Sequence, residues 1–250
     1  MELTMASSRM TTVPDITFRS DMTVELIKYA ASDADVIWAA RVSTKGEQSL
    51  ADVDGDAERS AGLINFLMRD RHGTPFEHSS MTFYVSAPIF VFREFMRHRT
   101  FSYNEESGRY RKLEPVFYVP GPDRKLVQSG KPGAYVFSEG TPGQHVLVTE
   151  TVQTACQQSY AAYLEMLHAG VAREVARTVL PVGLYSSMYA TCNARALMNF
   201  LSLRVQHPDA TFPSFPQREI EMVAEQMEAL WAGLMPLTHA AFERNGRVCP

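Results

Sequence analysis

Apolar and polar residues alternate most cleanly at Met81-Thr82-Phe83-Tyr84-Val85-Ser86, a period of two that predicts a half-buried strand. A weaker alternation over residues 23–29 predicts another strand. Elsewhere the period is helical. Ser32-x-x-Asp35 resembles a capping box ahead of Val36-Ile37-Trp38-Ala39-Ala40, a short helix start. Residues 57–71 carry Ala61, Ile64, Leu67 and Met68 at helical spacing, and Pro88 suits the first turn of a helix over 89–97. The second half reads as mostly helical. Val152, Ala155, Cys156, Ser159, Tyr160, Tyr163, Leu164 and Leu167 keep one stripe for four turns until Gly170. A shorter helix over 172–180 stops at Pro181, and a third runs over 191–205. Ile220, Val223, Met227, Leu230, Trp231 and Leu234 mark a last long one.

The segments without a period are polar. Residues 1–22 read as a loose lead-in, 52–56 as an acidic loop, and 121–143, rich in Gly and Pro, as a long surface loop or flap. With no internal repeat and no composition break, the expectation is one α+β domain over 1–250 with a flexible loop at 121–145.

Bulk numbers exclude more than they assign. The 250 residues are 45% hydrophobic and 21% charged, ordinary for a globular protein. A net charge of −4 argues against a coat for nucleic acid, although a local basic site remains open. Cys156, Cys192 and Cys249 are widely spaced and form no Cys-x-x-Cys, so neither a zinc ribbon nor a dithiol centre is expected. No apolar leader or membrane-length run is evident, and a reducing, cytoplasmic location is expected. There is no Gly-x-Gly, no P-loop, no His-Glu-x-x-His and no Gly-x-Ser-x-Gly. Any nucleotide must therefore be held by side chains and helix termini.

The densest candidate chemistry is Arg97-His98-Arg99-Thr100-Phe101-Ser102-Tyr103-Asn104-Glu105-Glu106-Ser107-Gly108-Arg109-Tyr110. Arg93 and Arg97 are four apart, which places both on one face of the expected helix. Crowded cations at 93, 97 and 99 repel one another unless an anion or several carboxylates sit between them, and arginine suits phosphate through its planar fork. Hydroxyl, amide and carboxylate groups at Ser102, Asn104, Glu105 and Ser107, flanked by Tyr103 and Tyr110, complete an inventory that fits a nucleotide. A solvated loop with internal ion pairs gives the same pattern. In His72-Gly73-Thr74-Pro75-Phe76-Glu77-His78 the histidines could be metal ligands, flavin contacts or a helix end, and no third metal ligand is obvious. On a helical wheel Asn193 and Arg204 lie within about 20° and Arg195 and Asn199 within about 40°. Arg204 points from an apolar stripe between Leu197 and Phe200, so it needs either a ligand or an ion pair, with Glu94 or Glu174 as candidates.

These segments resemble the flavin-dependent thymidylate synthases. The resemblance rests on Arg97-His98-Arg99 followed after seven residues by Ser107, with Ser102-Tyr103-Asn104-Glu105 and Ser107-Gly108-Arg109-Tyr110 also similar, so that it covers fourteen consecutive positions. The His72–His78 stretch, Arg177 within Arg173-Glu174-Val175-Ala176-Arg177, Asn193-Ala194-Arg195, Asn199 and Arg204 are similar to the family as well. The family often has Gly before the first histidine, where this chain has Arg71. The resemblance implies a small, mostly antiparallel sheet with packed helices, and reductive methylation of dUMP to dTMP. It implies methylenetetrahydrofolate as carbon donor, FAD as hydride source and NADPH as its reductant. It implies FAD contacts at His72, Thr74, Arg97, His98, Arg99, Asn104, Glu105, Asn193, Arg195 and Asn199. It implies dUMP contacts at Glu94, Arg97, Glu105, Glu106, Ser107, Gly108, Arg109, Arg177 and Arg204, with Arg204 promoting ionisation of the pyrimidine. A homotetramer with active sites built from several subunits is implied, and no metal. Two rival classes are a nucleic-acid module using the 93–112 basic cluster and a metal-dependent nucleotide hydrolase using His72, His78 and His98.

Overall fold

The computed structural model describes residues 15–47, 49, 50, 53 and 56–250. Most of the lead-in, and most of the acidic loop at 52–56, therefore lie outside the described residues. The chain is α+β and its described residues separate into two compact units, one drawn from 15–20, 107–124 and 140–184, the other from those between 21 and 106 together with 125–139 and 185–250.

The larger unit is organised by a four-stranded sheet. Its strands are β2 (Thr23–Ala30), β3 (Ser80–Pro88), β4 (Ser102–Glu105) and β8 (Tyr185–Cys192), in the antiparallel order β2-β3-β8-β4. The alternation read in β3 is realised: Met81, Phe83 and Val85 are fully buried while Tyr84 is only partly covered. Across the strand pair Phe83 faces Ala190 and Met81 faces Cys192, so bulky residues on β3 meet smaller ones on β8.

β8 is the largest departure from the sequence expectation, which placed its last two residues in a helix. Its buried set, Met188, Ala190 and Cys192, does alternate, but Ser186, Ser187 and Thr191 dilute the signal. Ser102–Glu105, which has no apolar period of its own, is the edge strand β4; its partner β8 supplies the order that its own polar sequence does not.

Helices cover this sheet. α1 (Asp33–Lys45) starts at the expected Ser32–Asp35 box, where the Asp35 carboxylate accepts from Ser32 N–H at 2.6 Å and Oγ at 2.7 Å. α2 (Ala57–Arg69) is capped by Asp56 and buries Ile64, Leu67 and Met68. α3 (Ile89–Phe95) begins after Pro88 and is shorter than expected, so Arg97 lies in the turn beyond it and shares no helical face with Arg93. α6 (Ala194–Arg204) buries Leu197, Met198, Phe200 and Leu201 completely, and Phe200 stacks on Phe95 of α3 at 4.6 Å. α7 (Arg218–Leu234) follows its expected stripe to fully buried Trp231, whose Nε1–H donates to Met235 Sδ. A further helix, α8 (Pro236–Arg244), follows it. The expected 121–145 loop also holds structure: a hairpin of β6 (Val127–Lys131) and β7 (Ala134–Ser138) turning through Pro132-Gly133, with Gly133 at φ +82°.

In the smaller unit β1 (Thr17–Arg19), within the expected lead-in, pairs in parallel with β5 (Val116–Tyr118). α4 (Pro142–His168) packs Cys156, Tyr160, Tyr163 and Leu164 inward and ends at Gly170, φ +82°. Tyr160 Oη donates to the Leu113 carbonyl at 3.0 Å, and Leu113 N–H donates to Tyr163 Oη at 3.2 Å. The single helix expected over 172–180 is instead α5 (Arg173–Ala176) followed by a 3-10 turn over Arg177–Val179.

One ion cluster in the larger unit ties α7, α8 and residue 247 together. Arg247, 2% exposed, holds both Glu228 carboxylate oxygens at 2.7 Å, and His239 Nε2 lies 2.9 Å from one of them. Burial alone would raise the Glu228 carboxyl, but hydrogen bonds from His239 and Arg247 and their charge bring it from 4.5 down to about 2. A carboxyl depressed on folding contributes stability that is complete above its unfolded value and lost as pH falls through the folded one. Glu228→Gln should therefore cost about 3 kcal/mol at neutral pH. Urea unfolding of both proteins should show the gap constant above pH 4.5 and closing towards about 2; a gap independent of pH would refute the charge-based account.

Candidate functional site

The turn after α3 is set by short backbone bonds, from Arg97 N–H to the Glu94 carbonyl and from His98 N–H to the Phe95 carbonyl. Tyr103 on β4 clamps the turn, its Oη donating to the carbonyls of Phe95 and His98, both at 2.8 Å. Burial, and then the charge of Cys192, push the Tyr103 phenol well above its ordinary value, so it stays a donor. Arg93, Arg97 and Arg99 are exposed and make no ion pair among the described residues. The ion-paired loop weighed for this segment is therefore not what forms at these three cations. Further along β4, alternation sends Ser102 and Asn104 to one face and Tyr103 and Glu105 to the other. Ser186 Oγ donates to Glu105 at 2.9 Å, and Ser187 Oγ to Glu106 at 3.1 Å.

Arg204, the last residue of α6, is 21% exposed and meets the residues of that turn. Its Nη1 donates to Glu94 Oε2 at 3.1 Å and its Nε to His98 Nε2 at 3.1 Å. Of the two carboxylates weighed as its partner, Glu94 is the one used; Glu174, in the other unit, pairs with Arg109 at 3.0 Å. Burial, and then Arg204, lower the His98 imidazole from 6.5 to about 4, so it is a neutral acceptor at Nε2.

Asn193, Arg195 and Asn199 line a cleft of about 510 Å³ together with Arg71, Glu77, Thr100, Ala196, Cys249 and Pro250. Asn193 is the N-cap of α6, its Oδ1 accepting from Ala196 N–H at 2.8 Å, which leaves the amide nitrogen as a donor. The Arg195 guanidinium is strung between Glu77 and the Pro250 carbonyl. It lies so close to Gly73 that a Cβ there would stand 2.5 Å from Nε. Gly73 and Glu77 brace this arginine, a role that had no reading in the sequence although both lie inside the His72–His78 stretch.

The Arg71 departure has a geometric answer. α2 ends in a Schellman motif, His72 N–H donating to the Leu67 carbonyl and Arg71 N–H to that of Met68, with Arg71 at φ +66°. Glycine suits that conformation; arginine adopts it at a cost on the order of 1 kcal/mol. His72 is exposed beside the Phe66 ring, and Thr74 is exposed at the start of a 3-10 turn.

The smaller unit carries the remaining candidates. Ser107 Oγ accepts from Arg109 N–H in a turn, and Gly108 is buried where a Cβ would meet Leu113 at 2.8 Å and Arg177 Cδ at 3.2 Å. Arg177 is exposed and makes no ion pair among the described residues.

None of the three cysteines is an activated nucleophile. Burial pushes the Cys156, Cys192 and Cys249 thiols up, the last despite the partial opposition of Arg195. His72, His78 and His98 form no metal-ligand cluster among the described residues; Glu228, His239 and Glu243 do come together, but Arg247 pairs with both carboxylates. No described helix is long and apolar enough to cross a membrane.

Arginines without an ion pair among the described residues, the Asn193 amide donor and a braced guanidinium make a donor set suited to an anionic ligand. Over residues 25–237 the sequence matches the family described as thymidylate synthase complementing protein, and the chain belongs to that family. It is 71% identical to a flavin-dependent thymidylate synthase of Streptomyces coelicolor over 95% of this chain and 97% of that one. It is 59% identical to that of Tropheryma whipplei over 95% and 99%. Among solved structures it resembles the UMP/dUMP methylase PolB of Streptomyces cacaoi bound with 5-Br dUMP, with TM-score 0.89 and 56% identity over 94% of this chain and all of that one.

Because Asn193 caps α6 through Oδ1 alone, Asn193→Ala should cost about 1 kcal/mol, whereas Asn193→Ser keeps a capping oxygen and most of that stability. Thermal unfolding that ranks the serine variant below alanine would refute the assignment.

Proposed function

We propose that the chain makes dTMP from dUMP, with methylenetetrahydrofolate as carbon donor, FAD as the flavin and NADPH as its reductant. The observation that carries this reading is Arg204, a half-buried guanidinium whose Nε and one Nη1 hydrogen are held by His98 and Glu94. Three N–H groups remain for a ligand. Directed at the pyrimidine, they stabilise the negative charge that ionisation at N3 puts on the ring, and the ring is thereby activated without a covalent bond to the protein. The raised thiols of all three cysteines favour that electrostatic route over attack by cysteine.

The donor set of the cleft fits a flavin nucleotide: arginines for the diphosphate, amides for the ring edge, and no dinucleotide glycine motif needed. FAD, when bound, supplies the hydride for the reduction. We assign its contacts to His72, Thr74, Arg97, Arg99, Asn104, Glu105, Asn193, Arg195 and Asn199; for His98, expected in the same set, burial and the hydrogen bond from Arg204 favour a supporting part instead. Those of dUMP are assigned to Glu94, Arg97, Glu105, Glu106, Ser107, Gly108, Arg109, Arg177 and Arg204. Ser107 and the unpaired Arg177 hold the nucleotide, and Ser107 does not attack it. The protein functions in the cytoplasm as a homotetramer whose active sites draw on several subunits. Exposed apolar residues at Val146 and Leu147 of α4 and at Ile27 and Tyr29 of β2 favour such association.

The test is an anaerobic spectrum: reduced flavin on the protein should reoxidise only when dUMP and methylenetetrahydrofolate are both added. Colourless protein that binds RNA or DNA with steep salt dependence, or activity lost to a chelator, would favour the rival classes instead. Arg204→Ala should nearly abolish dTMP formation while flavin absorbance is retained, with Arg204→Lys as a control for folding; wild-type turnover in either would sink the assignment. Ser107→Ala should weaken dUMP binding more than it slows the chemical step, and a covalent adduct trapped at Ser107 would contradict it.

A further inference from the structure

An arginine spent on one acceptor at Nη1 still swings about its terminal side-chain bonds; a second acceptor at Nε stops it. At Arg204 the first is Glu94 Oε2 and the second is His98 Nε2, each at 3.1 Å. Two contacts on different nitrogens define the guanidinium plane, and with it the directions of the three remaining N–H groups.

His98 is built to give that contact and little else. The residue is 5% exposed, with the edge-on Phe200 ring 4.8 Å away and Phe101 at 6.5 Å. Its backbone is held by the Tyr103 hydroxyl on its carbonyl and by its own N–H on the Phe95 carbonyl. To accept at Nε2 the ring must be neutral and carry its proton on Nδ1. Protonation would set a second cation 3.1 Å from the Arg204 guanidinium, and burial together with Arg204 holds the imidazole down to about 4. The ionisable groups around it are Arg204 from α6, Glu94 from α3 and Tyr103 from β4. With almost no surface left, the ring has little to offer a flavin directly.

We infer that His98 is the positioning residue of Arg204: its buried imidazole accepts from Nε and fixes the plane in which the remaining guanidinium donors meet the pyrimidine. The inference rests on the reading of Arg204 as the activating group. It changes the part expected of His98 from cofactor contact to support of the arginine.

The flavin-loaded enzyme tests it through two substitutions. His98→Met fills similar volume without a comparable acceptor, and His98→Gln returns an amide oxygen. His98→Met should keep its flavin content and melting temperature, and should bind dUMP within about threefold of wild type. Its single-turnover flavin reoxidation should slow by about 30-fold, and His98→Gln should recover most of that rate. In an Arg204→Lys background, removing His98 should have no further effect. Equal losses in both variants, loss of bound flavin in His98→Met, or additivity with Arg204→Lys would each overturn the inference.

A readout independent of turnover is the nitrogen NMR signature of the His98 ring. It should show the neutral Nδ1–H tautomer near pH 6, and a protonated ring or an Nε2–H tautomer would also overturn it. Absence of wild-type turnover with that tautomer intact would count against the proposed reaction and leave the brace standing.

Discussion

A cation at the end of a helix whose other face is fully buried cannot be left to solvent alone, and that constraint organises the larger unit. α6 buries Leu197, Met198, Phe200 and Leu201 completely, and Arg204 follows as its last residue. The arginine has to be met by acceptors from elsewhere, because an incompletely paired, partly desolvated charge costs several kcal/mol. Glu94 and His98 meet it from α3 and its turn, and Phe95 of the same helix stacks on Phe200. Apolar packing and polar bracing thus join the same two elements.

The legible parts of the fold were those in which each residue's partner lies on its own element. β3 could be read because its own alternation is strong, and α4 and α7 because their stripes run for several turns. β8 and β4 could not. β8 mixes serine, alanine and threonine with Tyr185, Met188, Tyr189 and Cys192, and its order is completed by pairing along its whole length with β3. β4 is polar along its length and is ordered by pairing with β8. In the 121–145 segment glycine and proline do make turns, but two residues between strands suffice for a hairpin.

The candidate site divides along the same line. Residue types suggested an anionic nucleotide ligand, and their resemblance to a family made that specific. The relations between them were not readable: that Arg204 takes Glu94 rather than Glu174, that His98 faces an arginine, or that Gly73 leaves room for Arg195. Each joins residues about a hundred positions apart, and such pairings are created by folding rather than by local pattern.

β4 places Ser102 and Asn104 on one face and Tyr103 and Glu105 on the other. Tyr103 clamps the turn after α3, and Glu105 takes a hydrogen bond from Ser186. A strand used on both faces tolerates many substitutions but no change of length. Inserting or deleting a single residue between Thr100 and Glu105 would exchange the two faces. The tyrosine clamp and the Glu105 contact would be lost in one step, while composition barely changed. Length variation among descendants of this sequence should accordingly be absent here, whatever drift the individual side chains undergo.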